Sequence, residues 1–132
     1  AGGADGWPDT TIRPGDTDLI RAAKEEVAHA RALAKEAELL AAAESDPDKK
    51  RKILAGVEAI RNDSHDLIAK AYELSDDPFN YGKKRAFGKA QRQLATDVAS
   101  LVSLTTPSPS PAMQAALRNM QQAAGRSGGD GG

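Results

Sequence analysis

The sequence predicts an all-α protein, built as an antiparallel up-down bundle of three long helices and a short fourth helix, with disordered termini. Two observations lead to this prediction. Apolar residues recur at helical spacing in four separate stretches, and two Asp-Pro pairs and one proline-rich segment separate those stretches. Short joints between successive helices favour antiparallel neighbours, and the longer proline-rich joint allows the fourth helix to close the bundle.

The clearest of the four stretches runs from Ile53 to Leu74. Leu54 and Ile68 widen its stripe, which suits a helix packed in a bundle better than a two-stranded coiled coil. We therefore expect the rest of the chain to cover this face. Its apolar or small residues follow steps of four and three: Ile53, Val57, Ile60, Ser64, Leu67, Ala71 and Leu74.

Residues 1–15 form a lead that the sequence predicts to be disordered, because glycine and proline interrupt any regular element there. Trp7 lies in this lead, outside every periodic stretch. The alternative prediction is that Trp7 and Pro8 fold back onto the bundle. The bundle itself is predicted over residues 16–124, and residues 125–132 form a flexible glycine-rich tail.

The first helix is predicted over residues 16–44, with Asp16 or Thr17 as its N-cap. Its expected buried face is rich in alanine and comprises Leu19 or Ile20, Ala23, Val27, Ala30, Leu33 or Ala34, Ala37, Leu40 and Ala41. Its expected solvated face carries Lys24, Glu25, Arg31, Lys35 and Glu38.

The next two helices are predicted over residues 47–75 and 78–104, each opened by an aspartate cap followed by proline in the first turn. Alternating prolines then keep the following joint extended, and Ser110 and Pro111 open a fourth helix over residues 111–124, which Gly125 ends. The expected core residues of the third helix are Phe87, Ala90, Leu94, Val98, Leu101 and Val102. Those of the fourth are Met113, Ala116, Leu117, Met120 and Ala124.

Composition excludes several classes of function. The 132 residues include no cysteine, which rules out disulfides, thiolate metal sites and a cysteine nucleophile. A net charge of -1 argues against a general nucleic-acid binder, and no run approaches the roughly 18 apolar residues of a membrane-spanning helix. Serine nucleophile motifs, phosphate-binding loops and calcium loops are absent from the sequence. We therefore expect no enzymatic activity, no cofactor, no nucleic-acid partner and no transmembrane segment.

His65 is the one residue that suggests a chemistry. Ser64-His65-Asp66-Leu67 is similar to the phospho-accepting box of sensor histidine kinases, and the heptad places His65 beside the buried seam, at a solvated position. A histidine phosphotransfer bundle is therefore the alternative function, beside an unrelated helical adaptor. His29 has no partner at metal-binding spacing, and Glu25-Glu26 and Asp76-Asp77 are interpreted as solvated carboxylates.

Positive charge gathers at the start of two helices, where it opposes the helix dipole. This arrangement indicates an anionic partner, such as an acidic actin surface or acidic phospholipid. The alternative is that nearby aspartates neutralise the lysines, which then only solubilise the chain. Because the two helices are antiparallel, the clusters are expected at opposite ends of the bundle. The candidate partner-binding residues are Lys49, Lys50, Arg51, Lys52, Lys83, Lys84, Arg85 and Lys89.

The proline-rich joint also offers candidate phosphorylation sites, because serine or threonine precedes each of its three prolines. The added phosphate would place negative charge at the start of the fourth helix. The candidate residues are Thr106, Ser108 and Ser110.

The pattern of these helices resembles the talin/vinculin-type helical bundle domains. The resemblance covers residues 16–104 and rests on Leu19-Ile20-Arg21-Ala22-Ala23-Lys24, the alanine-rich first helix, the Asp-Pro joints, and the doublets Leu67-Ile68 and Leu101-Val102. It implies a cytoplasmic cytoskeletal or adhesion scaffold that binds actin or partner helices by helix-in-groove contacts. The short fourth helix and its long joint depart from a complete five-helix module.

Overall fold

The computed structural model describes residues 5–105 and 110–128. They form four helices: α1 (Asp18–Ala43), α2 (Pro47–Asp76), α3 (Tyr81–Ser103) and α4 (Pro111–Gly128). The predicted all-α bundle is therefore confirmed. None of these helices combines the length and hydrophobicity needed to cross a membrane.

The ends of the helices follow local capping chemistry. The hydroxyl of Thr17 accepts from the backbone N–H of Ile20 and caps α1, and Asp46 caps α2 ahead of Pro47. Ser110 opens α4 in the same way, because its side chain accepts from the N–H of Met113. These three starts agree with the capping residues expected from the sequence.

Helix α3 begins at Tyr81 rather than at residue 78, so the predicted start was wrong. The N–H of Asp77 bonds to the carbonyl of Leu74, which makes Asp77 the C-cap of α2 rather than the N-cap of α3. Asn80 takes that role, and its side chain accepts from the N–H of Lys83. The second Asp-Pro pair therefore ends one helix instead of opening the next.

Helix α4 continues to Gly128, past the predicted end at residue 124. Among the described glycines only Gly6 has a positive φ, so Gly125 does not adopt the left-handed conformation that commonly ends a helix. Arg126 also forms an ion pair with Glu25 of α1, a contact that favours the extra turn.

Contacts near the helix ends establish the antiparallel order. The Thr17 and Ser75 hydroxyl oxygens are 2.7 Å apart, so α1 begins where α2 ends. The Leu101 side chain lies so close to Gly56 that a Cβ there would be 3.1 Å from Leu101 Cδ1, which brings the end of α3 to the start of α2. The pair of Arg126 with Glu25 brings the end of α4 to the start of α1.

The core runs along the inside of all four helices. Every predicted seam residue of α2 is buried, and so are the predicted core residues of α3 except Val102, which is partly buried. On α1 the alanines pack as expected, whereas Leu40 is 39% exposed. Helix α4 packs chiefly against α1, so α1 is covered by α2 and by α4.

Two charged residues of α1 lie inside the protein, which corrects the prediction that they are solvated. Lys24 is 2% exposed, and its Nζ donates to Asp16 Oδ2 at 2.7 Å and to the carbonyl of Thr11 at 2.8 Å. Glu26 is fully buried and accepts from the Nε2 of Gln91 at 3.1 Å. Both are buried because the rest of the chain covers more of the α1 surface than the width of its apolar stripe predicts.

The lead is predicted to be disordered, but the part that the structure describes, residues 5–16, is ordered. It lies against the bundle, and Trp7 is 1% exposed within the core cluster. The structure therefore agrees with the alternative prediction, in which Trp7 folds back onto the bundle.

Candidate functional site

The first predicted cluster, the basic turn formed by residues 49–52, is partly neutralised by two nearby carboxylates. Asp48 pairs with both Arg51 and Lys52, and Glu44 Oε1 lies 3.6 Å from the Nζ of Lys49. The start of α2 therefore presents less net positive charge to a partner than its sequence indicates.

The second predicted cluster lies at the start of α3 and is far less neutralised. The first turn of α3 contains no acidic residue, and the nearest pair, Lys83 Nζ to Asp77 Oδ2, spans 3.7 Å. Lys84, Lys89 and Arg92 have no carboxylate of the described residues within ion-pair distance. Of the two clusters, this one presents the stronger positive field.

Helical geometry turns this cluster into a stripe. Residues four apart lie on one face of a helix, so Tyr81, Arg85 and Lys89 line up on the exposed side of α3. The guanidinium carbon of Arg85 lies 5.8 Å from the centre of the Tyr81 ring, a cation–π distance. We call this exposed surface the α3 stripe, formed by Tyr81, Lys84, Arg85, Lys89 and Arg92.

An exposed aromatic residue adjoins the α3 stripe. Phe79, in the turn between α2 and α3, is 96% exposed, and Tyr81 is 72% exposed. Phenylalanine gains free energy when it leaves water, so a phenyl ring held out in solvent contributes nothing to the stability of the free bundle. Aromatic residues and arginine are enriched in protein interfaces, which makes this corner a candidate contact surface.

The two basic clusters lie at opposite ends of the bundle, as the antiparallel order requires. The basic turn opens α2, whereas the α3 stripe begins beside the end of α2. They cannot form one continuous patch.

His65 is exposed, as predicted, but it is engaged by the lead. Its Nε2 lies 2.6 Å from the carbonyl oxygen of Gly6. The nitrogen that would accept a phosphoryl group is therefore already in a hydrogen bond, which disfavours the phosphotransfer alternative.

We expect no acid-labile phosphate on the protein after incubation with acetyl phosphate or with a phosphorylated response regulator. The measurement is phosphate incorporation in wild type and in His65→Gln, followed by acid treatment. Acid-labile label on wild type that His65→Gln removes would establish the phosphotransfer function and contradict our interpretation.

Carboxyl groups with raised pKa values lie between the helices, where the sequence indicated only solvated acids. Burial raises the pKa of Glu26 to about 7, although the hydrogen bond from Gln91 works in the opposite direction. Burial and the neighbouring carboxyl of Asp97 likewise raise the pKa of Asp63. Because Glu26 is fully buried, it has no access to a substrate, so we interpret it as a determinant of stability. Its partner Gln91 lies on α3, 65 positions away, so the local sequence does not reveal that Glu26 is buried.

The remaining predicted sites are the candidate phosphorylation sites and the histidine of α1. Thr106 and Ser108 lie outside the described residues, whereas Ser110 caps α4. Among the described residues, no group of three or more histidine, aspartate or glutamate side chains could hold a metal ion. His29 is partly buried.

Over residues 5–105 and 110–128, the fold and the exposed charges define a four-helix bundle with an aromatic and basic surface at the start of α3. Comparisons with known protein families, with curated proteins and with solved structures find no match for this chain. The resemblance to talin and vinculin bundles therefore rests on the quoted sequence features alone, and it remains a prediction.

Proposed function

We propose that this chain is a non-enzymatic protein-interaction module of the cytoskeletal or adhesion-scaffold type, and that the α3 stripe binds an acidic partner surface such as the actin filament. The observation that carries the proposal is the exposure of Phe79 and Tyr81 beside cations that have few counter-charges. Acting on actin, the module would work in the cytoplasm.

Charge and shape support a protein partner. Positive potential over the α3 stripe would steer an acidic surface into contact, and the exposed Phe79 ring would then leave water in the interface. The Tyr81 ring holds Arg85 beside it, so both are already close together before binding. The basic turn at the other end of the bundle remains a second predicted contact, weakened by its pairs with Asp48 and Glu44.

The test is co-sedimentation with actin filaments at low and at physiological salt. Reversing the charge of the α3 stripe with Arg85→Glu and Lys89→Glu is expected to weaken binding at least about tenfold, as removal of interface hot-spot residues does. Phe79→Ser should weaken binding without lowering stability, because the ring is almost fully exposed. Binding of wild type should fall steeply with added salt.

The matched control is Lys50→Glu with Lys52→Glu, which makes the same change of charge at the opposite end of the bundle. We expect a smaller loss of binding from this control. Anionic and neutral vesicles are tested in parallel. If wild type sediments with anionic vesicles and not with actin, the partner of the α3 stripe is acidic phospholipid and the proposal of actin is wrong. Wild type that sediments with neither would overturn the assignment of the α3 stripe.

A further inference from the structure

The described part of the lead, residues 5–16, is held across two helices by contacts from its first three residues. The Asp5 carboxylate accepts from the Nε of Arg31 at 3.0 Å and lies 3.1 Å from the Nζ of Lys35, both on α1. The Gly6 carbonyl contacts His65 of α2. These contacts place Trp7 over the groove between α1 and α2.

Trp7 anchors the lead in this groove. Its side chain is 1% exposed, and the guanidinium of Arg61 lies over its ring, 5.6 Å from the ring centre. Gly6 has a φ of 84°, a left-handed conformation that glycine adopts readily. The lead thus docks through a buried aromatic anchor and a carboxylate paired with two cations, contacts of the kind that dominate binding between protein surfaces.

The fit between the lead and the groove is incomplete. The indole Nε1 of Trp7 is buried without a hydrogen-bond partner among the described residues, and the same is true of the Nε of Arg61. Both groups would regain hydrogen bonds to water if the lead came away from the groove. The lead therefore occupies the groove with a penalty that offsets part of the free energy gained by burying the Trp7 ring.

We propose that the groove between α1 and α2 is a recognition site for segments of another protein in which a carboxylate and a glycine precede a tryptophan, and that the lead fills this site within the chain. The groove is distinct from the α3 stripe, so the inference does not depend on the proposed function. Arg31 and Lys35 select the carboxylate, and the core beneath Trp7 selects the aromatic ring.

Because the lead is tethered to its own groove, it competes with any external segment at high effective concentration. A free peptide should therefore bind poorly to wild type and well to a chain whose lead cannot dock. Trp7→Ala supplies such a chain, since it removes the buried anchor and keeps every groove residue.

The first experiment measures fluorescence anisotropy of a labelled synthetic peptide with the sequence of residues 5–13. We expect it to bind the 132-residue chain with Trp7→Ala at least about tenfold more tightly than wild type. A peptide carrying Asp5→Asn or Trp7→Ala should bind the opened chain more weakly, and so should the native peptide when Arg31 of that chain is also changed to Ala. Equal binding to wild type and to Trp7→Ala, or binding that is indifferent to both peptide changes, would overturn the proposal.

The second experiment uses wild type and does not depend on whether Trp7→Ala folds. Trp7 is the single tryptophan, so its emission reports whether the lead is docked against the bundle, while far-ultraviolet circular dichroism reports on the helices. We expect urea to shift the emission to longer wavelength before helix content falls. A single coincident transition would show that the lead belongs to the cooperative core and would overturn the proposal.

Sedimentation of wild type over a range of concentrations identifies the source of the occupant. A monomer at all concentrations supports a separate partner. A dimer that dissociates when the peptide is added would instead show that leads exchange between two copies, and the separate partner would be wrong.

Discussion

Leu67→Ala is expected to lower the free energy of unfolding by about 2–5 kcal/mol, the range for truncation of a fully buried leucine. Leu67 is fully buried and lies in the middle of the α2 seam, among residues that all belong to the core cluster or are buried beside it. Replacement by alanine removes the three outermost carbons of the side chain and leaves a cavity that the neighbouring helices fill only in part. Urea denaturation followed by circular dichroism measures the effect.

Leu54→Ala is the matched control for this substitution. It makes the same chemical change on the same helix, but Leu54 is 43% exposed, so the free energy of unfolding should change by no more than about 0.5 kcal/mol. Equal midpoints for Leu67→Ala and wild type would show that the heptad positions do not carry the core.

Glu26→Gln is expected to stabilise the protein above pH 7, by an amount that approaches about 3 kcal/mol. Burial raises the pKa of Glu26 from 4.5 to about 7 in the folded state. Between these two values the unfolded chain releases a proton that the folded chain retains, so wild type loses stability as pH rises through this window. Glutamine never ionises and can still accept the hydrogen bond from Gln91.

The measurement is the free energy of unfolding of wild type and variant from pH 4.5 to pH 8. The two curves should agree at the acid end and separate as pH rises. Glu25→Gln is the control, because the adjacent side chain is half-exposed and pairs with Arg126 at the surface. Parallel curves for wild type and Glu26→Gln would show that Glu26 ionises as freely in the folded protein as in the unfolded chain.

Asp63 should contribute to the same trend. Its raised pKa also makes the folded state retain a proton that the unfolded chain releases, so part of the loss of stability with rising pH should remain in Glu26→Gln. Adding Asp63→Asn is expected to flatten the curve further.

Periodicity was sufficient to predict the parts of the fold that repeat. The seam of α2 follows one uninterrupted heptad pattern, and every residue predicted there is buried. Thr17, Asp46 and Ser110 cap their helices as expected, because a cap is a local interaction between neighbours in sequence.

The remaining features depend on contacts between distant residues. Nothing local distinguishes the Asp-Pro pair that opens α2 from the one at Asp77, which ends that helix because Asn80 offers a competing cap. Lys24 and Glu26 flank the apolar stripe of α1, and their partners lie far from α1's own apolar stripe, in the lead for Lys24 and on α3 for Glu26. Trp7 lies outside every periodic stretch, so its burial follows only from the groove that it occupies in the folded protein.

The candidate site was predicted in outline. The sequence identified both basic clusters, and their opposite locations follow from the antiparallel order. It did not rank them, because the ranking depends on which carboxylates reach which cations and on the exposure of Phe79. Whether either cluster binds a partner remains a prediction.

The packing of α4 against α1 also sets an order of events during protein synthesis. The Arg126–Glu25 pair joins residues that are 101 positions apart, so the side of α1 that meets α4 stays uncovered while α2 and α3 are being made. From the end of α1 to the end of α4 the ribosome needs about 4–17 s. During those seconds the nascent chain exposes an alanine-rich face, which makes this interval the time at which a chaperone would find the protein.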